Sequence, residues 1–330
     1  MIQAILHSLI TFLDLTALAC LIGIAWCLIW LGRPMDAVMP DSRILPGRLR
    51  GLLLAVLITL VVSSVGSLMQ RSSEMGGTGL FAVLPLLPTV VLKTHYGTMW
   101  LVRIAGIAVA WVAWMKVRRL SGVLPFAVLL GVAGAAISFA RSASGHPADY
   151  GDLSPQQIGD WLHLLAATTL AGTIIASAVL FEPSGVATDD RQQRSAAAVG
   201  GRLYFLFGPA LAVLVFTGMY NAWYTVGSFS AMGATPYGGL LAAKIALLIF
   251  LAGRYIAPPA PGRDIALFSS AFLRRVRFEA VLVLGLLFCV AMLVHQIPAR
   301  HYMHLIHQHD HEMHMHHMED MPNMDEGMKP

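Results

Sequence analysis

Between His301 and Met328 the chain interleaves two kinds of metal-binding side chain. Eight are imidazoles: His301, His304, His307, His309, His311, His314, His316 and His317. Seven are thioethers: Met303, Met313, Met315, Met318, Met321, Met324 and Met328. Imidazole suits copper, zinc and nickel, whereas a thioether is soft and selects Cu(I). Seven methionines would add little to a zinc or nickel sponge, so the mixture points to copper ions, Cu(I) and Cu(II). Asp310, Glu312, Glu319, Asp320, Asp325 and Glu326 add charge that attracts cations. Only Leu305 and Ile306 resemble core residues, so the segment is expected to be disordered without metal. The bland alternatives are a low-complexity end or a tag, but a tag would be an uninterrupted histidine run.

Five further histidines lie outside this tail: His7, His95, His146, His163 and His295. Asp160 and His163 share a helix face at i, i+3, where a carboxylate can orient an imidazole for ligation. The bland reading of His163 is a satisfied histidine facing a bundle. Cys20 and Cys27 share a face at i, i+7, while Cys289 and Met292 lie at i, i+3. These soft groups could relay Cu(I), although buried Cys and Met are more often packing residues. No CxxC spacing occurs, and no disulfide framework is indicated.

The elements that must position these residues are membrane helices. The chain has 330 residues, 57% hydrophobic and 12% charged, with mean hydropathy +0.68. Soluble domains carry about 25% charged residues, and 12% cannot cover a globular surface. A crossing helix needs about 20 mainly apolar residues. Eight segments qualify: 5–32, 51–69, 98–115, 123–140, 159–181, 203–225, 238–257 and 276–297. The apolar stretch 79–92 is short and interrupted by Pro85 and Pro88, which predicts a re-entrant or surface segment. The apolar run after Met1 is too long for a signal-peptide core and lacks a basic flank, so it is expected to be a retained helix.

Loop charge tests the count. The loops 33–50, 116–122, 182–202 and 254–277 hold fifteen of the 22 Lys and Arg residues. With eight spans all four lie on one side, which should be cytoplasmic, and both termini are then periplasmic. A ninth span at 79–92 would destroy the asymmetry. The same count puts every histidine on the outer side. The expected architecture is an all-α bundle of eight transmembrane helices over 1–297, with a periplasmic tail over 298–330. Within the spans Asp14, Arg103, Asp160, Lys244 and Glu279 must face the interior or pair. Lys244 is expected to pair with Asp14 or Asp160, and Arg103 to pair likewise. Glu279 should pair with the basic run Arg274, Arg275 and Arg277.

Several short motifs resemble the CopD (copper resistance protein D) family of bacterial inner-membrane proteins. They are Thr94-His95-Tyr96-Gly97 with Trp100 and Arg103, Ser144-Gly145-His146, and Asp160-Trp161-Leu162-His163. Phe216-Thr217-Gly218 with Asn221, Thr235-Pro236-Tyr237-Gly238 with Leu241 and Lys244, and Arg274-Arg275 with Glu279 continue the pattern. The stretch Ala167–Gly172 departs from it in lacking a tryptophan before the glycine. The resemblance implies copper transport across the inner membrane, often beside a small periplasmic copper-binding protein, CopC. No β-rich CopC-like domain is fused here.

Three classes of function follow. The first is a copper transporter taking up metal from the periplasm, in which the tail collects copper and passes it to His7, His95, His146, His163 or His295. The chain has no Walker A motif, which disfavours ATP-driven pumping, and it is read as a non-enzyme with no nucleic-acid partner. The second is a periplasm-facing copper chaperone or sensor without transport. The third is a b-type cytochrome, which needs paired histidines at matched depth on facing helices.

Overall fold

A computed structural model describes residues 2–32, 47–77, 79, 82–116, 123–145, 151–180, 190–226, 233, 235–255, 265–296 and 302. The described residues are overwhelmingly helical. In chain order they are α1 (Ile2–Gly32), α2 (Gly47–Gly76), α3 (Leu87–Lys93), α4 (His95–Lys116) and α5 (Val123–Ser142). These are followed by α6 (Pro155–Leu180), α7 (Asp190–Thr225), α8 (Pro236–Gly253) and α9 (Ile265–Leu293). Eight are long and apolar enough to cross a membrane, as the sequence predicts. The ninth, α3, has seven residues after a single 3₁₀ turn, Leu84–Leu86, and cannot cross. No ninth crossing helix is therefore found at 79–92 among the described residues.

Several helices run past the apolar stretches that announce them. Helix α7 begins at Asp190 and α9 at Ile265, both earlier than the apolar runs at 203 and 276. Apolarity ends where the hydrocarbon ends, but helical hydrogen bonds continue into water. Helix α9 also stops at Leu293, four residues before the expected boundary at 297.

Helix α1 is apolar on every side and runs up the centre, packed against α2, α5, α6 and α9. Its tightest neighbour is α6. A Cβ on Gly172 would lie 1.7 Å from the Ala19 carbonyl oxygen, and one on Gly23 would lie 2.0 Å from the Gly172 backbone. Only glycine at both positions lets the two backbones touch, the packing device of membrane helices. Helix α8 is peripheral: it leans on α9 and turns Ile245, Ile249 and Phe250 outward.

Two short motifs set helix starts at one end of the bundle. Thr94 is extended (ψ 152°) and breaks α3 from α4. Its hydroxyl donates to the Val90 carbonyl (2.6 Å) and accepts from the Gly97 amide (3.0 Å). A Cβ on Gly97 would lie 2.3 Å from the Val90 and Val91 carbonyl oxygens, so the turn requires glycine. Thr235 caps α8, its hydroxyl accepting from the Gly238 amide (3.1 Å), with Pro236 in the first turn.

Two ion-pair clusters are buried, one within each half of the sequence. Asp14, fully buried on α1, accepts from Arg103 of α4, from Arg141 of α5 (2.5 Å) and from the Ser63 hydroxyl of α2 (2.7 Å). Arg103 Nε also donates to the Ser64 hydroxyl (2.7 Å). The expected pairing of Arg103 is thus found. Near the opposite end of the bundle, buried Glu279 accepts from Arg275 (2.6 Å), Arg254 (3.0 Å) and the Tyr255 hydroxyl (2.6 Å). Arg275 in turn lies over the Tyr204 and Tyr255 rings.

Candidate functional site

The described histidines gather at one end of the bundle, where α1, α4, α6 and α8 begin and α2, α5, α7 and α9 finish. His7 lies one turn and a half into α1, and His295 lies just past the end of α9. Their ring centroids are 5.7 Å apart. His295 Nε2 is 2.9 Å from the Thr11 hydroxyl, one turn further along α1 from His7. His7 Nδ1 is 3.8 Å from Glu74 Oε1 near the end of α2. His7 Nε2 is buried and has no hydrogen-bond partner among the described residues.

A buried imidazole nitrogen without a partner is costly unless something occupies it. Here it belongs to one of two adjacent imidazoles with a carboxylate close by. Such a donor set can take a soft or borderline metal ion. Burial first, then the nearby His7 and Arg141, push the His295 imidazole below its ordinary pKa, while Glu74 pulls the other way. A lowered value favours the neutral imidazole, the form that binds metal.

His163 lies elsewhere, about 12 Å along α6 from its start, by the rise of 1.5 Å per residue. Its Nδ1 is 3.0 Å from the Thr217 hydroxyl of α7, and its Nε2 is 3.3 Å from Lys244 Nζ of α8. The ring fits against Gly218, where a Cβ would come within 3.2 Å of His163 Cε1. Asp160 does not orient His163 as expected. It accepts from the Ser142 hydroxyl of α5 and from the Asn221 amide of α7 (3.4 Å). The i, i+3 spacing puts both residues on one side of α6, but Thr217 lies nearer the imidazole.

The expected pairing of Lys244 with Asp14 is also corrected. Asp14 is taken by two arginines, and Lys244 meets His163, with Asp160 within electrostatic reach. His95 stands apart from the other histidines, its Nε2 2.7 Å from Asp152 in the turn before α6. His146 and the tail ligands His301, Met303, His304, His307, His309, His311, Met313, His314, Met315, His316, His317 and Met318 fall outside the described residues. Among the described residues no group of three or more His, Cys, Asp or Glu side chains is assembled into a metal cluster. Cys20 and Cys27 are buried and free, with Cys27 Sγ 3.7 Å from the Ser177 hydroxyl.

Glu74, Thr11 and Thr217 were not among the candidates read from sequence. Glu74 ends a polar run, Gln70 to Glu74, at the C-terminal end of the second span, and that run is its signal. Thr217 stood in a quoted motif without an assigned role.

Residues 1–154 match the family described as copper resistance protein D-like, N-terminal domain. The protein named copper resistance protein D from Pseudomonas syringae pv. tomato is 28% identical over 250 residues, covering 70% of this chain and 79% of that protein. The chain is thus similar to copper resistance protein D over most of its length, and its first 154 residues match that family's N-terminal domain. The family match covers α1 through α5, and with them His7, Glu74 and the Asp14–Arg103–Arg141 cluster. A protein named copper transport protein CutJ, from Bacillus subtilis, is 24% identical over 249 residues. That alignment covers 72% of this chain but 43% of the longer relative. No solved structure matches the chain.

Proposed function

We propose that this chain is a member of the copper resistance protein D family that carries copper across the bacterial inner membrane, from periplasm to cytoplasm, and admits it at the His7–His295 pair. The observation that carries this reading is the pair itself. Two imidazoles brought together from distant parts of the sequence include a buried nitrogen with no partner among the described residues. The tail begins within a few residues of His295, so copper held by its histidines and methionines starts beside this pair. A methionine or histidine of the tail would supply the third ligand. The surplus of Lys and Arg on the other side supports a cytoplasmic assignment for that side, with the histidine end and tail in the periplasm. A periplasmic copper-binding protein of the CopC type is the natural donor to such a tail.

The cytochrome reading asks for two histidines facing each other across an apolar slot. The pair here is flanked instead by Thr11 and Glu74. A haem absorption band in the purified protein would restore that reading.

Copper accumulation in cells tests the proposal. Cells carrying the intact chain should accumulate more copper than cells without it. Replacing His7 and His295 together with alanine should remove most of the gain, and truncation after Arg300 should lower it at limiting copper. Equal accumulation in all strains would refute transport and leave a binding or sensing role.

A further inference from the structure

The contact between His163 and Lys244 has a direction that chemistry fixes. With Lys244 as an ammonium, which only donates, His163 Nε2 is the acceptor (3.3 Å). Nδ1 therefore carries the ring proton and donates to Thr217 Oγ1 (3.0 Å). Thr217 can accept it because its own proton goes to the Val213 carbonyl (2.5 Å). The imidazole is thus neutral, held at one nitrogen, and offers its other lone pair to a cation. Asp160, three residues earlier on α6, is fixed by Ser142 and Asn221 and lies within electrostatic reach of Lys244. A neutral imidazole lone pair beside a fixed carboxylate is a cation site, and a tethered cation already fills it.

We propose that Lys244 is a built-in competitor for the metal: its ammonium and a Cu(I) ion are alternative occupants of His163 Nε2. This rests on the copper reading above and concerns a step after admission, deeper in the bilayer. The three groups that define the site come from three helices at one depth. His163 is eight residues from the start of α6, Thr217 eight from the end of α7, and Lys244 eight from the start of α8. Metal arriving at Nε2 must expel Nζ, because one lone pair cannot serve both. Expulsion breaks the hydrogen bond that ties α8 to α6. Helix α8 is the least buried of the eight long apolar helices, with Gly238 and Leu251 buried along its length. Occupancy by metal therefore unties α8 from α6 while it stays packed on α9, and departure of the metal lets the ammonium return. Any cation with weaker affinity for imidazole than the tethered ammonium is kept out, which is a filter by ligand softness.

The test uses the full chain in lipid nanodiscs with Cu(I) kept reduced. An amine-reactive, membrane-permeant reagent labels lysines, and peptide mass spectrometry reads Lys244 apart from Lys93, Lys116 and Lys329. Cu(I) is expected to raise Lys244 labelling several-fold. In His163→Ala, labelling should be high without metal and indifferent to it. A second arm measures Cu(I) affinity against a chromophoric chelator. Lys244→Leu should tighten one Cu(I) site at least tenfold, Lys244→Arg should not, and adding His163→Ala should abolish the gain. Unchanged Lys244 labelling at saturating Cu(I), or a gain that survives His163→Ala, overturns the proposal. If Cu(I) is bound in a His7-dependent manner while Lys244 stays unresponsive, this inference fails and the admission pair stands. If no copper binds anywhere, both fail.

Discussion

His7 and His295, separated by almost the whole sequence, stand with ring centroids 5.7 Å apart at one end of the bundle. The contact closes the fold, because it sets the end of α9 against the start of α1. It also makes a chemical unit of two residues that would be unremarkable singly. Side chains that act as one site show non-additive loss. In copper titrations of the full chain, His7→Ala and His295→Ala should each remove the same site, and the double variant should lose no more than either single one. Additive losses would mean two separate sites.

The titration of His295 in the metal-free protein checks the electrostatics of the pair. Its imidazole is held below the ordinary value by burial first, then by His7 and Arg141, with Glu74 opposing. Glu74→Gln removes the opposing carboxylate and should lower the value further. His7→Ala removes one depressing neighbour and opens the site to water, so the value should rise toward that of a free imidazole. NMR of labelled histidine reads both shifts, and a rise in Glu74→Gln would contradict the arrangement.

The seam between α1 and α6 depends on two glycines. A Cβ on Gly172 would lie 1.7 Å from the Ala19 carbonyl oxygen, a contact that no side-chain rotation relieves. Gly172→Ala and Gly23→Ala should each greatly reduce the folded yield in detergent. Gly201→Ala, at a position on α7 with open space around it, should be silent and serves as the control.

Asp14 is the common partner of two arginines that the bilayer cannot solvate. Removing one member of a buried ion pair costs about 3–5 kcal/mol, because the remaining charge is left uncompensated. Asp14→Asn should therefore lower thermal stability sharply. Combining it with Arg103→Leu should recover part of the loss, since one orphaned cation is then gone. Arg103→Lys should not substitute fully, as Arg103 reaches both Asp14 oxygens and Ser64 at once.

The helix count was legible in the sequence because the hydrocarbon layer demands long apolar runs and the loop charges check the total. The short segment at 79–92 was legible for the same reason, since Pro85 and Pro88 leave no room for a crossing helix. The gathering of His7 with His295 could be narrowed to a side of the membrane but no further. Topology fixes the depth of a residue, whereas the angular order of helices depends on packing details such as the Gly23–Gly172 crossing. Of the two carboxylates expected for Lys244, Asp160 lies within electrostatic reach and Asp14 does not pair with it, while the direct contact is to His163. Charge alone favours a carboxylate, but the arginines had already claimed Asp14, and Asp160 was anchored from α5 and α7. Helical spacing linked Asp160 to His163, yet the orienting group came from Thr217 on another helix.

Reconstitution tests the central claim most directly. The purified full chain is placed in proteoliposomes that trap a Cu(I) chelator, and Cu(I) is added outside. Vesicles with the intact protein should accumulate copper well above protein-free vesicles, and those with the His7→Ala and His295→Ala double variant should fall close to that background. Copper bound stoichiometrically by the intact protein, with no accumulation inside, would contradict transport.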